Sequence, residues 1–284
     1  MIIANDLIFT YPKTNKLAVN KVNFHIDKGE IFGFLGPSGA GKTTTQKLII
    51  GLLRGYRGHI NVLGKERNKW NKDFFEDIGV AFDFPNLYLK LTAKENLDLI
   101  GSYYKNTKSD IDNLLDRVGL LKDKDKKVEG FSKGMKMRLN FIRALIHSPK
   151  LLFFDEPTSG LDPVNAKIIK DIILELKGQG KTIFLTTHNM TVAEQLCDRI
   201  ALIVDGSIKV IDTPKNLMIK NGRNTIKLEY VEGNRLNTKE YELDTINSNS
   251  EFLKIIRTKK IKTIHSGEAT LEDVFIDLTG RKLI

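Results

Sequence analysis

The run Gly36-Pro37-Ser38-Gly39-Ala40-Gly41-Lys42-Thr43 constrains this chain more than any other segment. It fits the pattern G-x-x-x-x-G-K-[ST] at every fixed position. The apolar stretch Ile31-Phe32-Gly33-Phe34-Leu35 before it reads as a buried strand, and Thr43 to Leu53 after it reads as a helix. Strand, glycine-rich loop and helix in that order make a phosphate cradle. The glycines let successive backbone N–H groups converge on phosphate oxygens, and the helix N-terminus adds partial positive charge. Gly36, Pro37, Ser38, Gly39, Ala40, Gly41, Lys42, Thr43 and Thr44 are therefore the candidate nucleotide contacts. Lys42 is expected to bridge the β- and γ-phosphates and Thr43 to offer its hydroxyl to Mg²⁺.

A second segment complements the first. Leu151-Leu152-Phe153-Phe154-Asp155-Glu156 is an apolar strand ending in carboxylates. Nucleoside triphosphatases with such loops place an aspartate near Mg²⁺ this way. Asp155 is the candidate metal ligand, and Glu156 the candidate general base toward the attacking water. His188 follows the strand-like Ile183 to Thr187 and is placed to reach the γ-phosphate edge.

The rest of the chain frames these segments. Leu7-Ile8-Phe9 and Val22 to Ile26 alternate as strands do, Asp27-Lys28-Gly29-Glu30 reads as a turn, and residues 91 to 147 carry helical periodicity broken at Gly101, Gly119 and Gly130. From Leu151 onward, short apolar strands (Leu151 to Phe154, Ile183 to Leu185, Ile200 to Val204) alternate with helices. That alternation predicts an α/β fold with a mainly parallel sheet core. Beyond Thr213-Pro214 the pattern changes. Asn221-Gly222-Arg223-Asn224 reads as a linker, followed by strands at Thr225 to Tyr230 and Lys239 to Leu243. A helix at Glu251 to Lys259, a strand at Ile261 to His265 and a helix from Thr270 to Leu278, stopped by Gly280, complete a small mixed α/β appendage.

Composition excludes some classes. No apolar run reaches the roughly 18–20 residues that cross a bilayer, and the opening Met1 to Asp6 lacks the basic and apolar regions of a secretory signal. A single cysteine, Cys197, excludes an internal disulfide and is expected to pack as a small hydrophobe. The formal net charge of +10 fits an anionic partner or a solvated lysine-rich surface. The densest basic run, Lys122 to Lys127, holds Asp123 and Asp125 between its lysines, which favours the solvated surface.

With these segments in place, residues 1 to about 215 resemble the ATP-binding cassette (ABC) ATPases. Phe131-Ser132-Lys133-Gly134-Met135 before a helix resembles the family's signature motif, Leu-Ser-Gly-Gly-Gln. Ser159-Gly160-Leu161-Asp162 resembles its D-loop, Thr186-Thr187-His188 its switch histidine, and Tyr11 falls where the family stacks an aromatic ring on adenine. The resemblance implies a cassette domain over 1–215 with an antiparallel β N-terminal part and a helical subdomain inserted at about 86–147, and a small accessory domain over 222–284. It also implies that two cassettes, identical or different, close head to tail on ATP and Mg²⁺. Ser132, Lys133, Gly134 and Met135 of one would then cap the nucleotide of the other, and Asp162 would couple the two sites. In that scheme Glu156 and His188 are catalytic, and Thr43, Asp83 and Asp155 serve the metal.

The chain departs from the family at two places. The switch glutamine that contacts metal and water falls at Asp83, within Val80-Ala81-Phe82-Asp83-Phe84-Pro85. A unit-charge pair about 4 Å apart at an effective dielectric of about 20 is worth about 4 kcal/mol, so a carboxylate here predicts slowed turnover or altered coupling. The signature carries Lys133 and Met135, while its serine and second glycine are kept.

The ending Leu271-Glu272-Asp273-Val274-Phe275-Ile276-Asp277-Leu278-Thr279-Gly280 resembles cassettes that serve two-component exporters of drugs, antibiotics, peptides or polysaccharides. The spacing of Leu271, Val274, Phe275 and Leu278 also suits an ordinary packing helix. The resemblance implies a separate transmembrane permease, a peripheral position on the cytoplasmic face of the membrane, and a coupling groove near Phe84 to Tyr88. The alternatives are a non-transport cassette acting on nucleic acid or ribosomes, and an importer. A single cassette without sustained heptads argues against the former, so no stable nucleic-acid partner is expected.

Overall fold

The computed structural model describes residues 1–105, 110–221, 225–233, 235–267 and 269–280. The chain forms two compact units, Met1–Asp212 and Thr213–Ile284.

The strands of the first unit are, in chain order, β1 (Ile2–Thr10), β2 (Leu17–Ile26), β3 (Ile31–Leu35), β4 (Arg57–Val62), β5 (Lys65–Glu66), β6 (Ile78–Ala81), β7 (Leu151–Asp155), β8 (Thr182–Thr187), β9 (Arg199–Val204) and β10 (Ser207–Asp212). Its helices are α1 (Lys42–Ile49), α2 (Ala93–Gly101), α3 (Ile111–Arg117), α4 (Lys133–Arg143), α5 (Pro163–Gly178) and α6 (Met190–Leu196). An antiparallel sheet has the order β2-β1-β4-β5, and a six-stranded sheet the order β10-β9-β3-β8-β7-β6. Every pairing in the larger sheet is parallel except β10 with β9. The α/β fold with a mainly parallel core and an antiparallel N-terminal part is thus the one the sequence predicts.

Strands β3, β7 and β8 are buried at every residue. A parallel sheet covered on both faces requires such continuous apolar runs. One core joins the two sheets: Phe24 of β2 packs against Phe34 of β3 with ring centroids 5.0 Å apart, and Phe34 against Phe184 of β8 at 5.1 Å. Each such ring, fully buried, contributes about 1.5–3 kcal/mol of transfer free energy. Cys197 is buried at the end of α6, and burial pushes its thiol pKa up. A Cβ added to Gly33 in β3 would lie 2.7 Å from its Sγ. The thiol therefore packs, as expected.

Helix α1 is shorter than Thr43 to Leu53. Gly51 takes φ 84°, its N–H bonds Leu48 O at 3.1 Å, and Leu52 N–H bonds Lys47 O at 2.9 Å. That is the left-handed Schellman closure, which satisfies the last carbonyls and ends the helix. The helices between β6 and β7 start on side-chain caps. Thr92 and Glu95 form a reciprocal capping box on α2, Asp110 caps α3, and Ser132 caps α4.

The second unit contains α7 (Pro214–Asn221), β11 (Thr225–Glu232), β12 (Arg235–Glu242), α8 (Ser250–Thr258), β13 (Lys260–Gly267) and α9 (Leu271–Thr279). Its antiparallel sheet has the order β12-β11-β13. Leu228, Tyr230 and Tyr241 of the sheet enclose a small core with Phe252 and Ile255 of α8. The linker predicted at 221–224 begins on the last residue of α7, and its residues 222–224 lie outside the described ones.

Candidate nucleotide site

The site gathers at the C-terminal ends of the parallel strands, where open α/β sheets bind ligands. The loop from β3 to α1 is fixed by close backbone approaches. Gly41 has φ 104°, and a Cβ there would sit 2.4 Å from Ala18 O. A Cβ on Gly36 would meet Ile203 O at 2.2 Å. Both positions therefore demand glycine. The first-turn N–H groups of α1 have no intrahelical acceptors and face the loop. Lys42 Nζ donates to Gly36 O at 2.6 Å and Pro37 O at 3.1 Å, so the ammonium is held inside the loop. Burial lowers its pKa, and the Glu156 and Asp155 charges draw it back up.

Asp155 ends β7 and is buried. Its Oδ2 accepts from Thr43 Oγ1 at 2.8 Å, and its Oδ1 accepts from the Thr186 hydroxyl. Burial raises the carboxyl pKa; the two hydroxyls oppose that, and the Asp83 and Glu156 charges reinforce it. Glu156, the next residue, has φ 50°. This uncommon left-handed backbone turns its side chain out of the strand register. Its Oε2 accepts from Thr187 Oγ1 at 3.0 Å, and its Oε1 lies 2.7 Å from His188 Nδ1. A carboxylate only accepts, so His188 carries a proton on Nδ1 and presents Nε2 elsewhere.

These groups line one cavity of about 600 Å³ together with Ser38 to Thr44 and Asp83. Tyr11 lies at the same cavity, with its hydroxyl 3.1 Å from Thr44 Oγ1 and its ring edge-on to Phe9. Gly36 and Pro37 stand behind the wall as acceptors for Lys42 rather than on its surface. From the signature-like segment, Lys133 alone reaches the cavity. Ser132 caps α4 by accepting from Met135 N–H at 3.2 Å, and Gly134 packs toward Leu161. Asp162 caps α5, accepting from Val164 N–H at 3.0 Å and Asn165 N–H at 3.1 Å.

Four residues of the site were not singled out as candidates, although Thr186, Thr187 and Ser159 stand inside the motifs quoted for His188 and Asp162. Thr186 and Thr187 hold the two carboxylates, and Ala18 and Ser159 complete the wall. The paired hydroxyls before His188 carried a sequence signal, whereas Ala18 is an ordinary strand residue. The segment Phe84 to Tyr88, where a coupling groove is expected, runs beside an apolar groove of the cassette. This groove of about 290 Å³ is lined by Ile50, Phe75, Phe82, Ile100, Tyr104 and Arg143 among others, with none of residues 84–88 in its wall. Phe84 and Tyr88 instead point outward, 70% and 51% exposed. The Arg143 guanidinium donates to Asn86 O, which holds that segment beside the groove.

A loop that demands glycine at Gly36 and Gly41, a lysine and a threonine at its end, and a carboxylate on β7, separated from β3 by β8, define a P-loop nucleoside triphosphatase. Residues 19–159 match the family model for ABC transporters, and residues 224–268 match the one for the fluoroquinolone efflux ABC transporter C-terminal domain. The chain is 50% identical over 284 residues, 100% of its length and 94% of the relative's, to a fluoroquinolones export ATP-binding protein of Mycobacterium tuberculosis. It is 38% identical over 223 residues to a bacitracin transport ATP-binding protein of Bacillus licheniformis, covering 77% of this chain and 72% of that one. Among solved structures, the post-hydrolysis dimer of an ATP-binding cassette bound to ADP and Pi superposes with a TM-score of 0.69 at 28% identity, over 75% of this chain and 98% of that one. The ATP-binding subunit of an ABC transporter superposes with a TM-score of 0.72 at 26% identity, over 98% and 99%. The chain belongs to the ATP-binding subunits of ABC transporters, of the drug-exporter group, and is an ATP-hydrolysing cassette.

Proposed function

We propose that this chain drives export of drug-like or antibiotic molecules through a separate membrane-embedded permease, docked peripherally on the cytoplasmic face. The observation that carries this is the 50% identity along the full chain, C-terminal unit included, to a subunit named for fluoroquinolone export. Among the described residues no helix is long and apolar enough to cross a membrane, so a permease would supply the pathway. Residues 222–284 act as an accessory domain of that exporter subgroup, and the match of 224–268 to the efflux C-terminal model supports this.

Within the site, Tyr11 stacks on the adenine and Ser38 to Thr44 wrap the phosphates. Lys42 leaves the Gly36 and Pro37 carbonyls to bridge the β- and γ-phosphates. Thr43, Asp155 and Asp83 present oxygen ligands, the donor set a hard cation such as Mg²⁺ takes. Bound there, Mg²⁺ neutralises charge on the phosphates. Glu156 takes a proton from the attacking water, and His188 orients the γ-phosphate edge through Nε2 while Glu156 holds its Nδ1–H. Ser132, Lys133, Gly134 and Met135 cap the nucleotide of a second cassette, and Asp162 joins the two sites.

Affinity purification of the chain from detergent-solubilised native membranes tests the assignment. Recovery of a multi-span membrane protein is the expected result, and a second, different cassette in the same sample would make the pair a heterodimer. Fractionation with ribosomes or nucleic acid would overturn the exporter. In the isolated protein, Glu156→Gln should cut hydrolysis by about 10²–10⁴-fold, the usual contribution of a general base, while leaving an ATP-bound dimer visible by light scattering.

A further inference from the structure

The segment that carries Asp83 to the nucleotide cavity cannot hold itself in place. It leaves β6 after Ala81 and runs as Phe82-Asp83-Phe84-Pro85-Asn86-Leu87. Pro85 has no N–H to donate and disfavours a helical backbone at Phe84. Among the described residues, 83 to 87 make no backbone–backbone hydrogen bond.

Side chains of two helices supply its fixed points instead. Asn140 of α4 donates from Nδ2 to Phe82 O at 2.8 Å. Arg143, three residues on and so on the same side of α4, donates to Asn86 O. Asn96 of α2 accepts from Tyr88 N–H at 2.8 Å and donates to Tyr88 O at 3.0 Å. Asp83 lies between the first two of these points, next in sequence to the carbonyl that Asn140 holds. Its carboxylate makes no hydrogen bond among the described residues, so the backbone alone aims it into the cavity.

Asn140 is costly where it stands. It is wholly buried, and the other buried residues of α4 are Met137, Leu139, Phe141 and Ile142, all apolar. Its Oδ1 has no donor among the described residues. Burying a half-paired amide is unfavourable, and an apolar side chain there would avoid that cost. What the amide gains is one bond, to the carbonyl beside Asp83.

We propose that Asn140 is a positioning residue for Asp83. By holding the Phe82 carbonyl, it fixes the backbone from which the Asp83 carboxylate reaches the Mg²⁺ of the bound nucleotide. This rests on the reading of Asp83 as a metal ligand. Asn140 does not line the nucleotide cavity, so its loss acts on the metal only through Asp83.

The test is equilibrium binding of a non-hydrolysable ATP analogue to the full chain, in Mg²⁺ and in EDTA, at dilutions where light scattering finds single chains. The ratio of the two affinities is what the metal contributes. Asn140→Leu should lower that ratio about fivefold, the scale of one hydrogen bond, and leave the affinity in EDTA unchanged. Asn140→Ala, which cannot crowd its neighbours, should lower it equally and serves if the leucine variant does not fold. In an Asp83→Ala chain, where the ratio is already reduced, neither substitution should change it further. A ratio that both Asn140 variants leave unchanged would overturn the positioning role. So would an equal fall in the Asp83→Ala chain, which would mark Asn140 as a support of the fold at large. A wild-type ratio in Asp83→Ala alone would instead defeat Asp83 as a metal ligand, and this inference with it.

Discussion

At the residue scale, the site depends on carboxylates held where carboxylates are costly. Asp155 is buried, with its pKa raised chiefly by burial. The folded state therefore holds this proton more tightly than the unfolded chain does. Stability falls as pH rises from the ordinary aspartate range through the raised folded value, because in that window unfolding releases the proton. Thermal denaturation of the metal-free protein should show that decline, and Asp155→Asn should flatten it. Asp83 works against the same group, since its charge pushes Asp155 further up. Asp83→Gln is expected to raise basal or permease-stimulated ATPase turnover. Unchanged rates in both assays would show that this carboxylate has no part in pacing the cycle.

At the element scale, the site is built on helix starts. α1 begins at a left-handed Gly41, α4 at Ser132 and α5 at Asp162. Each cap fixes where a loop hands over to a rigid helix, and so where the loop's functional atoms point. Ser132→Ala removes the acceptor for Met135 N–H, so denaturant unfolding should show a loss of about 1 kcal/mol. Gly41→Ala is harsher. It places a methyl 2.4 Å from Ala18 O at a φ that L residues resist. A loss of about 2–3 kcal/mol is expected by the same measurement, with nucleotide binding impaired.

At the scale of the whole molecule, the two compact units have separate cores. The cluster of Leu228, Tyr230, Tyr241, Phe252 and Ile255 lies wholly within the second unit. Phe252→Ala should cost that unit about 3–5 kcal/mol, the usual range for emptying a core of a phenyl ring. Scanning calorimetry should reveal the loss, and titration should find ATP affinity unchanged, because no residue of this cluster lines the nucleotide cavity.

The sequence alone determined those parts whose chemistry is local. The loop from Gly36 to Thr43 and the strand ending at Asp155 each need a fixed residue type at a fixed spacing, and that is visible in one dimension. So are the buried parallel strands, which are apolar throughout. Tertiary structure decided what depends on distance through space. α1 stops at Ile49 because Gly51 adopts a left-handed φ, which composition permits without requiring. The apolar groove is lined from Ile50, Phe75, Phe82 and Tyr104, scattered over four segments, so no contiguous run of the sequence marks it. Thr186 and Thr187 became partners of the two carboxylates because β8 pairs with β7 in parallel register, Asp155 opposite Thr186. The bond from Asn140 to Phe82 O, 58 residues away, likewise required the fold. Hydrogen bonding depends on separation in space, and sequence separation says little about it.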